Sequence, residues 1–198
     1  ERIYCGVEKE ENEKKRQHLK RLYELCQIEE RPPEKMPVQL PFRLAAMISQ
    51  VVPEERWPEK SLEILRRTGT DVEVVDEDRD RILRRIKQAG NWVRRYGSER
   101  DKLHILKELT PEIKSMVPNE IKPLLKDLAD YIERKSPDAD SLNTRIFSLA
   151  KENEIKPQKL FTALYRIFLG RKSGPRIAPF LISQEMDWVT ERLREAAS

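Results

Sequence analysis

Two stretches of this chain gather cations and aromatic rings while excluding carboxylates. Between Glu154 and Glu185 there is no Asp or Glu, and Lys156, Lys159, Arg166, Arg171, Lys172 and Arg176 share the segment with Phe161, Tyr165, Phe168 and Phe180. From Arg81 to Ser98 the pattern recurs. Arg81, Arg84, Arg85, Lys87, Arg94 and Arg95 surround Trp92 and Tyr96, again with no acid between them. Charge of a single sign interleaved with ring faces suits a polyanion that carries stackable bases, so nucleic acid is the partner class to which these residues point. A guanidinium can hold a phosphate through two parallel hydrogen bonds, and a ring offers a face to an unpaired base.

Spacing sharpens the candidates. On a helix, Arg84, Lys87, Asn91 and Arg94 form one row, and Arg85, Gln88, Trp92 and Arg95 form the row beside it. In the later window Gly170 and Gly174 bracket Arg171-Lys172-Ser173, and Pro175-Arg176 follows, so a short turn presents cations and a hydroxyl together. Glycine lets backbone approach a phosphate closely there. The candidate RNA-contacting residues are Arg84, Arg85, Trp92, Arg94, Arg95, Arg166, Arg171, Lys172 and Arg176, with Trp92, Tyr165 and Trp188 as stacking candidates. Core packing is the competing role for each of these aromatics.

Enzymatic chemistry has little to stand on within these residues, and no catalytic group is assigned. There is no Gly-rich phosphate loop, and the two histidines, His18 and His104, lie far apart. Carboxylates are so numerous that an acid pair carries no specificity. The two cysteines, Cys5 and Cys26, do not have metal-knuckle spacing; they are expected to be free thiols in a reducing compartment, and no metal site is expected.

The elements that must position the two windows are helical. The 198 residues are 38% hydrophobic and 37% charged with a formal net charge of only +4, so the basic character is local. Apolar residues recur at helical spacing almost throughout, which predicts an all-α protein, a bundle or cage of packed helices. Leu19, Leu22, Tyr23 and Cys26 line a first charged helix, which the four prolines between Arg31 and Pro41 end. Phe42, Ala45, Ala46 and Ser49 begin a second, and Pro58 opens a third that stops at Gly69. Thr70 to Val75 reads as a linker or a short extended piece, with a boundary near residue 70. Beyond it Ile82, Ile86, Ala89 and Val93 share one face of a helix ended by Gly97. Ile121, Leu124, Leu125, Leu128 and Ile132 share a face of the next long one. Ser136-Pro137 and Lys156-Pro157 each open a further helix. Gly170 ends the latter, and a final helix begins at Ser183 with Trp188, Val189 and Leu193 inward. With no apolar run of membrane-spanning length and no signal peptide, a soluble cytoplasmic protein is expected. Its opening at Glu1 without Met reads as the start of a piece of something longer.

The stretch from Lys156 through Leu160-Phe161-Thr162-Ala163-Leu164-Tyr165-Arg166 to Gly170-Arg171-Lys172-Ser173-Gly174-Pro175-Arg176 resembles the C-terminal segment of class I lysyl-tRNA synthetases. Glu1-Arg2-Ile3-Tyr4 resembles the helix after that family's catalytic core, and Pro41-Phe42-Arg43-Leu44-Ala45 its first downstream helix. A weaker likeness to the anticodon-binding part of glutamyl-tRNA synthetases runs through the same region. The family's HIGH-type and KMSKS-type signatures do not occur, and Lys172 and Ile182-Ser183-Gln184 depart from its usual acidic residue and glycine-containing turn. The resemblance implies connecting helices over residues 1–70, after a catalytic domain not in this chain, and an anticodon-binding helical cage over residues 71–198. It implies lysine tRNA and that catalytic domain as partners. It implies no cofactor for this piece, ATP for the whole ligase and no adenylate formation by the piece itself. A helical module docking an acidic protein through its basic face is the alternative.

Overall fold

The computed structural model describes residues 13–25, 38–68 and 76–198, and among them all regular structure is helical. Contacts divide the chain into one unit up to Gln39 and a second from Leu40 to Ser198. Helix α1, Glu13–Leu25, belongs to the first. Its opening turn is tied by Glu13, which pairs with Arg16 and accepts from Gln17 Nε2 at 3.1 Å. The side chains of Leu19 and Tyr23 lie outside the described residues, as do Glu1–Tyr4, both cysteines, the proline-rich segment up to Pro37, Gly69 and the expected linker over 70–75. The helices on either side of that expected boundary pack within the same unit.

The second unit begins with α2, Phe42–Val51, directly after Pro41, whose carbonyl accepts from Ala45 N at 2.9 Å. A short 3-10 turn, Glu54–Arg56, leads to α3, Trp57–Arg67, with Pro58 in its first turn, where a missing N–H costs nothing. Helix α4, Asp76–Tyr96, buries the Ile82, Ile86, Ala89 and Val93 face and leaves both basic rows outside. It crosses α2 so closely that a Cβ at Gly90 would stand 3.0 Å from Ser49 Cβ.

The remaining helices form the larger layer. Helix α5, Pro111–Ser115, has no counterpart among the helices expected from sequence; Thr110 caps it weakly, accepting from Ile113 N at 3.4 Å. Helix α6, Lys122–Lys135, turns Leu124, Leu125, Leu128 and Ile132 inward. Helix α7, Ala139–Glu152, starts after Asp138, whose carboxylate accepts from Ser141 N at 2.7 Å and is held below the usual carboxylate range by that bond. Its cap is therefore an aspartate rather than the Ser136-Pro137 step. Helix α8, Pro157–Leu169, ends at Gly170, whose φ of 66° is the left-handed conformation glycine adopts without a Cβ penalty. The final helix expected from Ser183 is α10, Met186–Ala196, which starts at Met186, and before it stands a short helix without an expected counterpart, α9, Ile177–Ile182. Ser183 closes α9, its hydroxyl donating to Phe180 O at 2.6 Å.

Helices α6 and α10 share the most extensive interface, and α9 reaches back to α3. Glu185, between α9 and α10, accepts from Arg56 at 2.6 Å and lies 3.7 Å from Lys60 Nζ. The Arg56 hydrogen bond is the main cause holding the Glu185 carboxyl below its ordinary value. Such an exposed pair fixes geometry more than it adds stability. The apolar core stabilises the fold far more, since each fully buried Leu or Ile contributes roughly 1.5–3 kcal/mol. Leu128 is fully buried on α6. Its replacement by Ala should lower unfolding free energy by about 2–5 kcal/mol, read as the change in urea midpoint at unchanged slope.

Candidate nucleic-acid interface

The buried stripe of α4 sets its chemistry, because every residue off that stripe is pushed to the surface. Arg84, Lys87, Asn91 and Arg94 lie exposed in one row, and Arg85, Gln88, Trp92 and Arg95 in the next. Arg94 is steadied by Asn91 Oδ1, and Arg85 Nε donates to Leu40 O at 2.5 Å, which leaves the rest of that exposed guanidinium facing outward.

Trp92 stands on this face 42% exposed, the setting a stacking residue needs. It does not stand alone. Phe42 meets it edge-on with centroids 5.3 Å apart, and the Tyr96 ring lies 6.5 Å away and is 71% exposed. In the sequence Phe42 marks only the start of a helix. Its signal is its place at the first helical position, where nothing of the preceding turn can cover it. The outcome is an exposed three-ring cluster beside Arg85 and Arg95.

The second window divides differently. Arg171 is half-buried, and its Nη1 donates to the carbonyls of Arg100 and Lys102, each at 3.2 Å. Those acceptors lie in the connector that follows α4, so Arg171 ties that connector to the end of α8 and works as a brace. Only Nη1 is engaged by these partners, and the side chain as a whole remains partly exposed. Arg166 donates to Met116 O at 3.1 Å, which orients it across the surface toward α5. Lys172 and Arg176 are exposed. A Cβ at Gly174 would fall 2.9 Å from Leu169 Cδ1 and 3.0 Å from the Tyr165 ring, so a larger residue there would have to displace these side chains.

Of the other stacking candidates, Tyr165 is the floor of this turn. Its hydroxyl donates to Pro175 O at 2.6 Å, and burial pushes its pKa up. Trp188 is half-buried between Phe168, 5.5 Å away, and the Arg192 guanidinium, 5.1 Å from its ring. Phe168 and Phe180 are core. Thus Trp92 is open to a base, whereas Tyr165 and Trp188 are occupied by protein. No cluster of three or more metal-ligating side chains occurs among the described residues, and no described helix is long and apolar enough to cross a membrane.

No family model matches the chain. Against the lysine-tRNA ligase of Thermococcus kodakarensis it is 37% identical over 196 residues, 98% of this chain and 36% of that protein. It is 34% identical over 200 residues to the lysine-tRNA ligase of Pyrococcus furiosus, again covering 98% of this chain and 36% of the relative. For that of Methanocaldococcus jannaschii the identity is 32% over 195 residues, 96% of this chain and 36% of the relative. The chain thus spans little more than a third of the length of these curated relatives.

The bracing role of Arg171 has a direct test. Replacing it with Ala should accelerate amide hydrogen exchange across residues 98–106 while leaving exchange in α6 and α10 unchanged. Exchange in the connector equal to that of the parent chain would show that the guanidinium does not hold it.

Proposed function

The chain belongs to the lysine-tRNA ligase family, matching little more than a third of each relative, and we propose that it is the part that grips the anticodon end of lysine tRNA. The ATP-dependent aminoacylation itself would fall to a catalytic domain elsewhere in such a ligase. The observation that carries this reading is the outer face of α4, where exposed cations, in a stretch with no carboxylate from Arg81 to Ser98, share the surface with the exposed rings of Phe42, Trp92 and Tyr96. Phosphates would engage Arg84, Arg85, Arg94 and Arg95, with Lys172 and Arg176 extending the track and Arg166 at its margin. An unpaired base would stack on Trp92. In this division phosphate contacts supply salt-sensitive affinity, and splayed anticodon bases supply sequence information.

Two measurements test it. Replacing Arg84 and Arg95 together with Ala should weaken binding of a tRNA anticodon hairpin and flatten its dependence on salt. Each lost phosphate contact should remove about 0.7 to 0.9 from the log–log slope. An unchanged slope would move the RNA off this face.

The second measurement separates sequence reading from a merely basic surface, which would bind any hairpin about equally. A lysine-anticodon site should bind a UUU hairpin more tightly than the same hairpin carrying purines or cytidines there. The expected gap is roughly 1–3 kcal/mol if one or two bases are read directly, measured by titration at a fixed salt near ~0.15 M, where long-range attraction is screened. Equal affinities would leave a nonspecific grip. Binding of an acidic protein with no RNA affinity would leave the docking module.

A further inference from the structure

A second open aromatic site lies where α7 hands over to α8. Thr144, Phe147, Ser148 and Lys151 recur at helical spacing on one face of α7, and together with Lys156 they line a groove of about 570 Å³. That volume falls within the range of ~300–1,000 Å³ typical of small-ligand clefts. Phe147 is 47% exposed at the groove and packs against Phe161 of α8 with centroids 5.0 Å apart, a pair that steadies its ring while leaving much of the side chain open. Polar groups stand around this ring. Asn143, Thr144 and Ser148 all line the groove, and among the described residues none of the three side chains has a hydrogen-bond partner. Lys151 and Lys156 are exposed on its rim without an ion-pair partner among the described residues, against the single carboxylate of Glu154.

Each feature answers one part of a nucleotide. A fixed ring face stacks a base, unpartnered amide and hydroxyl groups meet the donors and acceptors of its edge, and ammonium groups on the rim meet the flanking phosphates. An apolar peptide would leave those polar groups unsatisfied, and an acidic one would leave Phe147 without a stacking partner. We propose that the α7–α8 groove seats one unpaired RNA base on Phe147, with Asn143, Thr144 and Ser148 reading its edge. This rests on the tRNA-binding reading and adds to it a base site separate from the rings of α4.

The test uses the 198-residue chain and an anticodon hairpin carrying 4-thiouridine in its loop. Irradiation should cross-link the loop to the tryptic peptide of residues 146–151, which contains Phe147. Phe147→Ala should weaken hairpin binding about five-fold or more, the scale of one lost base stack, without altering the salt slope, because no phosphate contact is removed. Thr144→Val with Ser148→Ala, which spares the ring and the fold, should narrow the preference among single-base variants of the loop. Hairpin binding by the parent chain with no cross-link in that peptide, or with affinity and preference unchanged in both variants, would overturn the groove while leaving the tRNA reading standing. Failure of the parent chain to bind any hairpin would overturn the tRNA reading and the groove with it.

Discussion

Backbone polarity in the connector between α4 and α5 is the constraint on which the two helical layers depend. Residues 98–109 form no regular structure, yet their peptide groups are drawn between α2, α8 and α10, where unpaired carbonyls and amides are costly. Side chains from three directions satisfy them. Gln50 accepts from Leu103 N at 2.8 Å and donates to Asp101 O at 3.1 Å. Arg171 takes the carbonyls of Arg100 and Lys102. Arg192, only 4% exposed, donates to Leu106 O at 3.1 Å and Lys107 O at 2.5 Å while its charge lies over the Trp188 ring. The Leu106 amide meanwhile caps the open carbonyl of Phe168 at 2.9 Å, in the last turn of α8.

This arrangement explains why two cation-rich segments serve different ends. On the outer face of α4, most of the arginine fork has no backbone to satisfy and faces solvent. At the end of α8 the same residue type lands beside a connector full of carbonyls, and two of them hold Arg171 Nη1. In each connector arginine one terminal nitrogen, with two N–H groups, donates to two carbonyls: Arg171 Nη1 to Arg100 and Lys102, and Arg192 Nη2 to Leu106 and Lys107.

The helices were legible because periodicity is a local property. The Ile82, Ile86, Ala89 and Val93 stripe, the Leu128 face and the Gly170 stop each follow from spacing or backbone conformation within one element. What spacing could not reveal was the partner across a gap. Nothing around Arg171 in the chain announces Arg100, and nothing around Phe147 announces that Phe161 would leave much of its side chain open. Tyr165 and Trp92 are equally aromatic and equally flanked by cations, yet the Tyr165 hydroxyl is held by Pro175 while Phe42, packed edge-on, leaves Trp92 exposed. The break between α9 and α10 is hidden for a related reason: Ser183 is a good opening residue, but its hydroxyl turns back to close the preceding helix.

The crossing of α2 and α4 sets a mechanical tolerance for the exposed rings. A Cβ at Gly90 would stand 3.0 Å from Ser49 Cβ, tighter than ordinary contact, and the same two helices carry Phe42 and Trp92. The rings therefore hold their register only while the two backbones keep their separation. A methyl added at Gly90, hidden from solvent, would demand a shift of a few tenths of an ångström at Ser49, and whatever part of it the two backbones take up would reach a surface the methyl never touches. Change at that surface can thus be inherited through an interior position whose own chemistry is inert.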